Sequence, residues 1–247
     1  MTSTMCPVKA VGPGAPSGGV TVRSAWPWGR GHWGRKEAGA TGPLRWWPDR
    51  PTTEAAIEPM TDSRPDPAAL ASVVAVLDRA ASFEEPNEDI AGLTVLHHGL
   101  QCAWLLRGSD PDDVELQVAG LLHDIGHLLA PGDESGHGRV GAAFVRPVFG
   151  ERVAAAVEGH VPAKRYLVTV DATYRGLLSE GSIRTLETQG GGMDPEEVRR
   201  FRQGPHFEAA IRLRRADEAA KDPLSTPPPL ADWLPVLEAL ARVAASR

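Results

Sequence analysis

The stretch QVAGLLHDIGHLL, Gln117 to Leu129, sets two histidines and an aspartate in an otherwise apolar run of helical length. A carboxylate buried in such a run must be paired or metal-bound, because an unpaired charge there is expensive or takes up a proton. Whatever fold the chain adopts must therefore bring a cation to Asp124. Adjacent helix positions point about 100° apart, so His123 and Asp124 reach one ion from two sides only where a helix end faces it. Asp124 can then bridge to a second ion. Imidazole and carboxylate without thiolate suit iron, manganese or zinc, with either oxygen-activating or hydrolytic chemistry.

Beyond Pro67 the apolar residues recur at helical spacing. DPAALASVVAVLDRAASF opens with an Asp-Pro start at Asp66 and Pro67, and LTVLHHGLQCAWLLR places Leu93, Leu96, Leu100 and Trp104 on one face. An acidic, proline-containing start at Asp110 to Asp113 precedes the HD run, and GRVGAAFVRPVFG, ERVAAAVEGH, DPEEVRRFRQ, HFEAAIRLRRADEAAK and LADWLPVLEALARVAA continue the pattern. No run alternates as a strand. The expectation is an all-α domain over residues 65–245, with irregular links at APGDESG, ETQGGGM and STPPP. Residues 1–60 lack either periodicity and read as a disordered extension, or as a mis-called translation start upstream of Met60. Charge divides at the same place: 7 Lys and Arg against 4 Asp and Glu before residue 61, and 19 against 28 after it.

Composition narrows the function classes. No Lys/Arg cluster argues for a nucleic-acid partner, and no apolar stretch approaches a membrane span. Cys6 and Cys102 stand far apart, which removes a disulfide scaffold or a thiolate zinc site and points to the cytoplasm. Seven of the eight histidines fall beyond residue 60, in LHHGLQC, LLHDIGHLL, ESGHGRVGA, VEGHVPAKRYL and GPHFEAA. A single buried histidine is usually a neutral side chain donating to a carbonyl; this many near one buried aspartate is a different matter.

HDIGH, with HH before it and ESGH and EGH after it, resembles the HD-domain superfamily, whose His-Asp doublet anchors one or two metals in a helical bundle. The longer segments LQCAWLL, LLHDIGHLL, GHVPAKRYLVTVDATY, LLSEGSIRTLETQGGGM and IRLRRADEAAKDP are similar to the mixed-valent diiron HD-domain oxygenases of phosphonate breakdown, typified by enzymes acting on 2-amino-1-hydroxyethylphosphonate. The similarity covers residues 65–245. It implies that His98, His123 and Asp217 hold one iron, that Asp124 bridges, and that His137 and His160 complete a second. His97 could exchange with His98, and the match at HGLQCA favours His98. Asp217 has a competing reading as an ion pair with Arg214 or Lys221. The phosphonate donors implied are His127, one turn beyond His123 on the same helix face, with Lys164, Ser182, Gln189 and Arg214.

One departure concerns the substrate. The family carries a tyrosine and a glutamate about ten and seven residues before its first histidine ligand; counting back from His98 gives Glu88, a candidate lid residue, and Ala91. The resemblance implies an O2-dependent oxygenase with an Fe(II)/Fe(III) pair, acting on a small-molecule 1-hydroxyphosphonate to give phosphate and a carboxylic acid. The competing readings are a manganese- or zinc-dependent phosphohydrolase and a metal-stabilised binding module. The oligomeric state has no sequence signature.

Overall fold

Helix starts are written into the local sequence of the computed structural model, which describes residues 66–86, 88 and 90–247; the segment 1–60 lies outside the described residues. Asp66 accepts a hydrogen bond from Ala68 N at 2.9 Å and Pro67 takes the first position of α1 (Pro67–Ala80). Thr94 caps α2 (Val95–Ser109) through His97 N at 3.1 Å. Asp113 caps α3 (Val114–Leu122) through Leu116 N, and its two oxygens each take an Arg152 guanidinium nitrogen at 2.6 Å. One aspartate thus satisfies an orphan helix N–H and ties α3 to α6. The remaining helices are α4 (Gly126–Leu129), α5 (His137–Phe149), α6 (Glu151–Val170), α7 (Glu180–Thr188), α8 (Pro195–Gln203), α9 (Phe207–Ala219) and α10 (Leu230–Ala245). Among the described residues no strand forms, and a single bridge joins Glu84 to Thr94. The all-α expectation agrees with this architecture.

The most intimate pairs are α5 with α6, α2 with α3 and α6 with α9, and α9 also packs on α2. These helices enclose one interior, filled by Leu106, Leu116, Leu122, Ile125, Phe149, Val157 and Leu213. From outside, α1 covers α2 and α5, and α10 covers α3 and α5 with the fully buried Trp233. A satellite cluster of Tyr166, Leu167, Tyr174 and Leu178 collects Phe201 and Phe207 where α6, α8 and α9 meet.

Two local results differ from the sequence expectation. The HD run is not one helix: α3 stops at Leu122 and α4 begins at Gly126, so His123 and Asp124 sit in the turn between them. His127 is therefore on a separate short helix and not on the face that carries His123. Close packing accounts for the glycine at this break, since a Cβ on Gly126 would run into the carbonyl of His137 at the start of α5. The second difference is that α6 continues through Pro162 for 20 residues, joining EGH and VPAKRYL in one element.

Candidate metal centre and anion pocket

The turn after α3 points Asp124 at four imidazoles. Its Oδ2 lies 2.9 Å from His123 Nε2 and 3.4 Å from His98 Nε2, while its Oδ1 lies 3.4 Å from both His137 Nε2 and His160 Nε2. Asp217 Oδ1 completes the first group at 3.2 Å from His98 Nε2 and 3.7 Å from His123 Nε2. The six side chains thus form two sets that share Asp124, one of His98, His123, Asp124 and Asp217 and one of Asp124, His137 and His160, all buried.

Hydrogen bonding on the far side of each ring decides what these sets can hold. The Nδ1 atoms face backbone carbonyls: His98 to Ala220 at 2.9 Å, His123 to Gly120 at 2.9 Å, His137 to Glu134 at 2.8 Å and His160 to Val157 at 2.6 Å. A carbonyl only accepts, so each ring carries its proton on Nδ1 and turns the Nε2 lone pair inward. Within each set two Nε2 atoms then approach at 3.2 and 2.9 Å, lone pair toward lone pair. A cation between them removes that conflict, and the carbonyl partners are what holds a metal-ligating imidazole in orientation. The charges agree. Burial favours neutral rings, yet Asp124 and Asp217 overcome it and raise His98 to about 10 and His123 well above its ordinary value. The two carboxylates demand positive charge, which a metal supplies in place of protons.

Beside the metal ligands the pocket is lined by donors. Burial, reinforced by the Arg214 charge, lowers Lys164 to about 7; its ammonium donates to Thr185 Oγ1 at 2.8 Å and Ser182 O at 3.4 Å and has no carboxylate partner among the described contacts. Arg214 donates from Nε to Tyr174 Oη at 3.0 Å, from Nη1 to Asp217, and from Nη2 to Ser182 Oγ at 3.0 Å and to Glu218. The Arg214–Asp217 pair considered as an alternative to ligation is present, but it uses Oδ2 and leaves Oδ1 toward the imidazoles. Gln189 Nε2 donates to Glu134 O at 3.1 Å while its buried Oε1 has no partner. His127 stacks on His137 with ring centres 4.0 Å apart, and burial lowers its pKa to about 4. The structure therefore brings all eleven carried-over residues to one pocket or its wall. His97 is turned away, with Nε2 2.9 Å from Ser225 O. His206 sits half-buried at the start of α9, outside the pocket lining, and His32 lies outside the described residues.

The loop between α1 and α2 requires a correction. Ala91, placed by counting at the family's glutamate position, is exposed and does not line the pocket. Glu88 lines it but is held by Lys221 Nζ at 2.7 Å and Ser179 Oγ at 2.8 Å, so it is not a solvated charge and its carboxylate is committed to those two partners. The carboxylate beside those ligands is Glu85, whose buried Oε2 has no hydrogen-bond partner; burial and Asp124 push its pKa up to about 8. Glu85, Asp124 and His127 can offer ligand atoms within 4.8 Å of one another. Counting back from His98 does not single out Glu85, and no periodicity in this loop marks it. Thr185 and Lys221 were also missed. Thr185 follows Ser182 by three residues, and Lys221 follows Arg214 and Asp217 by seven and four, so helical spacing carried a signal for both.

Comparison with known proteins gives the same answer from another direction. The HD domain family model matches residues 93–189. The chain is 40% identical over 153 residues to the hydroxymethylphosphonate dioxygenase of Gimesia maris, covering 58% of this chain and 73% of that protein. It is 34% identical over 154 residues to the glycine-betaine-forming [1-hydroxy-2-(trimethylamino)ethyl]phosphonate dioxygenase of Leisingera caerulea, covering 59% and 76%. Among the described residues no helix is long and apolar enough to cross a membrane. The chain belongs to the HD-domain phosphonate oxygenases, a family of O2-dependent enzymes.

Proposed function

We propose that the protein is a diiron oxygenase that cleaves the carbon–phosphorus bond of a 1-hydroxyphosphonate, and that hydroxymethylphosphonate is the first substrate to test. The observation that carries this reading is the adjacency of two imidazole–carboxylate sets to a buried anion pocket. The similarity to a hydroxymethylphosphonate dioxygenase supports the substrate. For hydroxymethylphosphonate the balance is one O2 consumed, with formate, phosphate and a proton released.

In this reading His98, His123, Asp124 and Asp217 hold one iron and Asp124, His137 and His160 the other. An iron pair held by these residues would supply redox chemistry toward O2 and Lewis acidity for the substrate hydroxyl. The chain's own residues do the rest. Lys164, Arg214, Ser182, Gln189 and His127 fix the phosphonate oxygens, with the two cations answering its charge by charge-assisted bonds. Tyr174 and Glu218 keep the Arg214 fork in plane, and the helices around the pocket limit water at the reacting carbon.

The test is phosphate release with and without O2, on iron-loaded protein, across hydroxymethylphosphonate, 2-amino-1-hydroxyethylphosphonate and a phosphate monoester. Strictly O2-dependent release from a hydroxyphosphonate is expected. Release from the monoester under nitrogen would replace the oxygenase with a hydrolase.

Lys164 adds a pH prediction. Its ammonium is charged below about 7 and loses its proton above, so the cation that meets the phosphonate disappears as pH rises through that value. Around it stand Arg214, Asp217, Lys221 and Glu218, of which the first is the strongest neighbour lowering its pKa. KM for hydroxymethylphosphonate is expected to rise from pH 7 to 9 in the wild type. In Lys164→Arg, which stays charged, that rise should vanish; an identical pH profile in both proteins would remove Lys164 from phosphonate binding.

A further inference from the structure

Arg214, Asp217, Glu218 and Lys221 follow one another at i, i+3, i+4 and i+7 along α9 and just past its end. Arg214, Asp217 and Lys221 line the pocket and Glu218 does not, yet Glu218 is the acceptor on which the two cations converge. Its Oε1 takes Ser179 N at 2.7 Å, and its Oε2 takes Ser182 Oγ at 2.9 Å, Lys221 Nζ at 3.2 Å and Arg214 Nη2. Lys221 in turn reaches Ser182 Oγ and Ser179 Oγ, both at 2.9 Å, and Glu88 Oε1 at 2.7 Å. The side chains of Glu88, Glu218 and Lys221 are at most 10% exposed.

The bonding capacity of these groups makes Glu218 central. A hydroxyl has one proton and two lone pairs. Ser182 gives its proton to Glu218 and receives Arg214 and Lys221, so it is fully committed. Two cations converging on one small oxygen repel each other, and in a buried site that repulsion is strong. The carboxylate of Glu218 lies against both and offsets it. Asp217 holds the guanidinium and Glu88 the ammonium, but Glu218 is the carboxylate that meets the guanidinium, the ammonium and the hydroxyl together.

We propose that Glu218 is the positioning residue of the anion pocket: it sets Ser182, Arg214 and Lys221 against one another, and through Lys221 and Glu88 it ties the α1–α2 loop to them. The proposal rests on the reading that this pocket takes a phosphonate. It has a consequence for Ser182, which donates to an incoming phosphonate oxygen only by turning its proton away from Glu218. Lys221, Arg214 and Ser179 N then remain to satisfy the carboxylate. Glu218 touches no substrate in this arrangement and acts on it through its three partners.

The test uses the full chain loaded with metal and inorganic phosphate as the probe, by titration calorimetry, with metal content, unfolding temperature and steady-state kinetics on hydroxymethylphosphonate measured alongside. Glu218→Gln is expected to weaken phosphate binding and raise KM by about tenfold or more, with kcat within about threefold and metal content unchanged. Glu218→Asp should recover part of the loss. Unchanged phosphate affinity would overturn the proposal, as would a loss confined to kcat or to metal content, which would place the effect in neighbouring Asp217. If Glu218→Gln does not fold, Lys221→Met removes one of the same partners and must weaken phosphate by about threefold or more; unchanged affinity there overturns it equally. Wild-type protein that binds no phosphate would sink the phosphonate reading and this proposal together, whereas phosphate binding that ignores Glu218 sinks this proposal alone.

Discussion

Asp124→Ala is expected to lose both metals and with them more than a hundredfold of O2-dependent phosphate release. The loss exceeds the roughly 10- to 100-fold that changes outside the ligand set cost, because Asp124 is the carboxylate common to both sets. Its two oxygens face opposite pairs of imidazoles, 2.9 to 3.4 Å away. The variant keeps His98, His123 and Asp217 on one side, but only His137 and His160 on the other. Metal analysis after gel filtration reads the result directly. Two metals per chain retained in the variant would end the bridging role, and one retained metal would show that the first set is sufficient alone.

Arg214→Met carries the second large effect, and it appears in stability and in binding at once. Arg214 is 4% exposed and answers two buried carboxylates, Asp217 and Glu218. Against burial, which favours a neutral group, Asp217 leads Tyr174 and Glu218 in holding the guanidinium charged. Removing one partner of a buried ion pair costs about 3–5 kcal/mol, since the charge left behind is uncompensated, and for a domain of this size that lowers Tm by on the order of 10 °C. The phosphonate loses a buried cation and the one guanidinium N–H that Tyr174, Asp217, Ser182 and Glu218 leave free, so kcat/KM falls by about ten- to a hundredfold. Arg214→Lys restores charge without the fork and should recover stability more than KM. Equal recovery of both, measured by thermal unfolding and steady-state kinetics, would show that charge alone matters at this position.

How far the sequence carried the site depended on whether a residue sat in a segment of fixed geometry. The ligands and donors from His98 to Arg214 lie on or beside helices, where offsets within a segment translate into faces, and the structure gathers them. Helical regularity misled at one point: the HD run reads as a continuous apolar helix, and the close approach that requires glycine at position 126, where the chain resumes after the break, involves His137, a residue eleven positions away. The demand that a helix end face the metal did anticipate where His123 and Asp124 would lie. Glu85 had no such anchor. It lies between α1 and α2, where the described residues form no helix and Glu88 is tied to Lys221, and linear counting there selected Glu88 and Ala91. Glu218 was passed over because an acidic residue beside an arginine on a helix is ordinarily a surface pair, and only the positions of Ser179 and Ser182 reveal its buried surroundings.

The carbonyl partners of the four imidazoles also fix an order of assembly. His123, His137 and His160 each orient on a carbonyl three residues back in their own chain segment, so those rings are aimed as soon as the local turn exists. His98 orients on Ala220, 122 residues away at the end of α9, and the Asp217 beside it comes from the same helix. The set formed by Asp124, His137 and His160 can therefore be completed by contiguous chain from α3 to α6, while the other waits for the carboxyl-terminal third to dock on α2. During refolding with metal, uptake should come in two stages, the second coinciding with closure of the 122-residue loop between His98 and Ala220. Filling of the second stage would then report a finished fold.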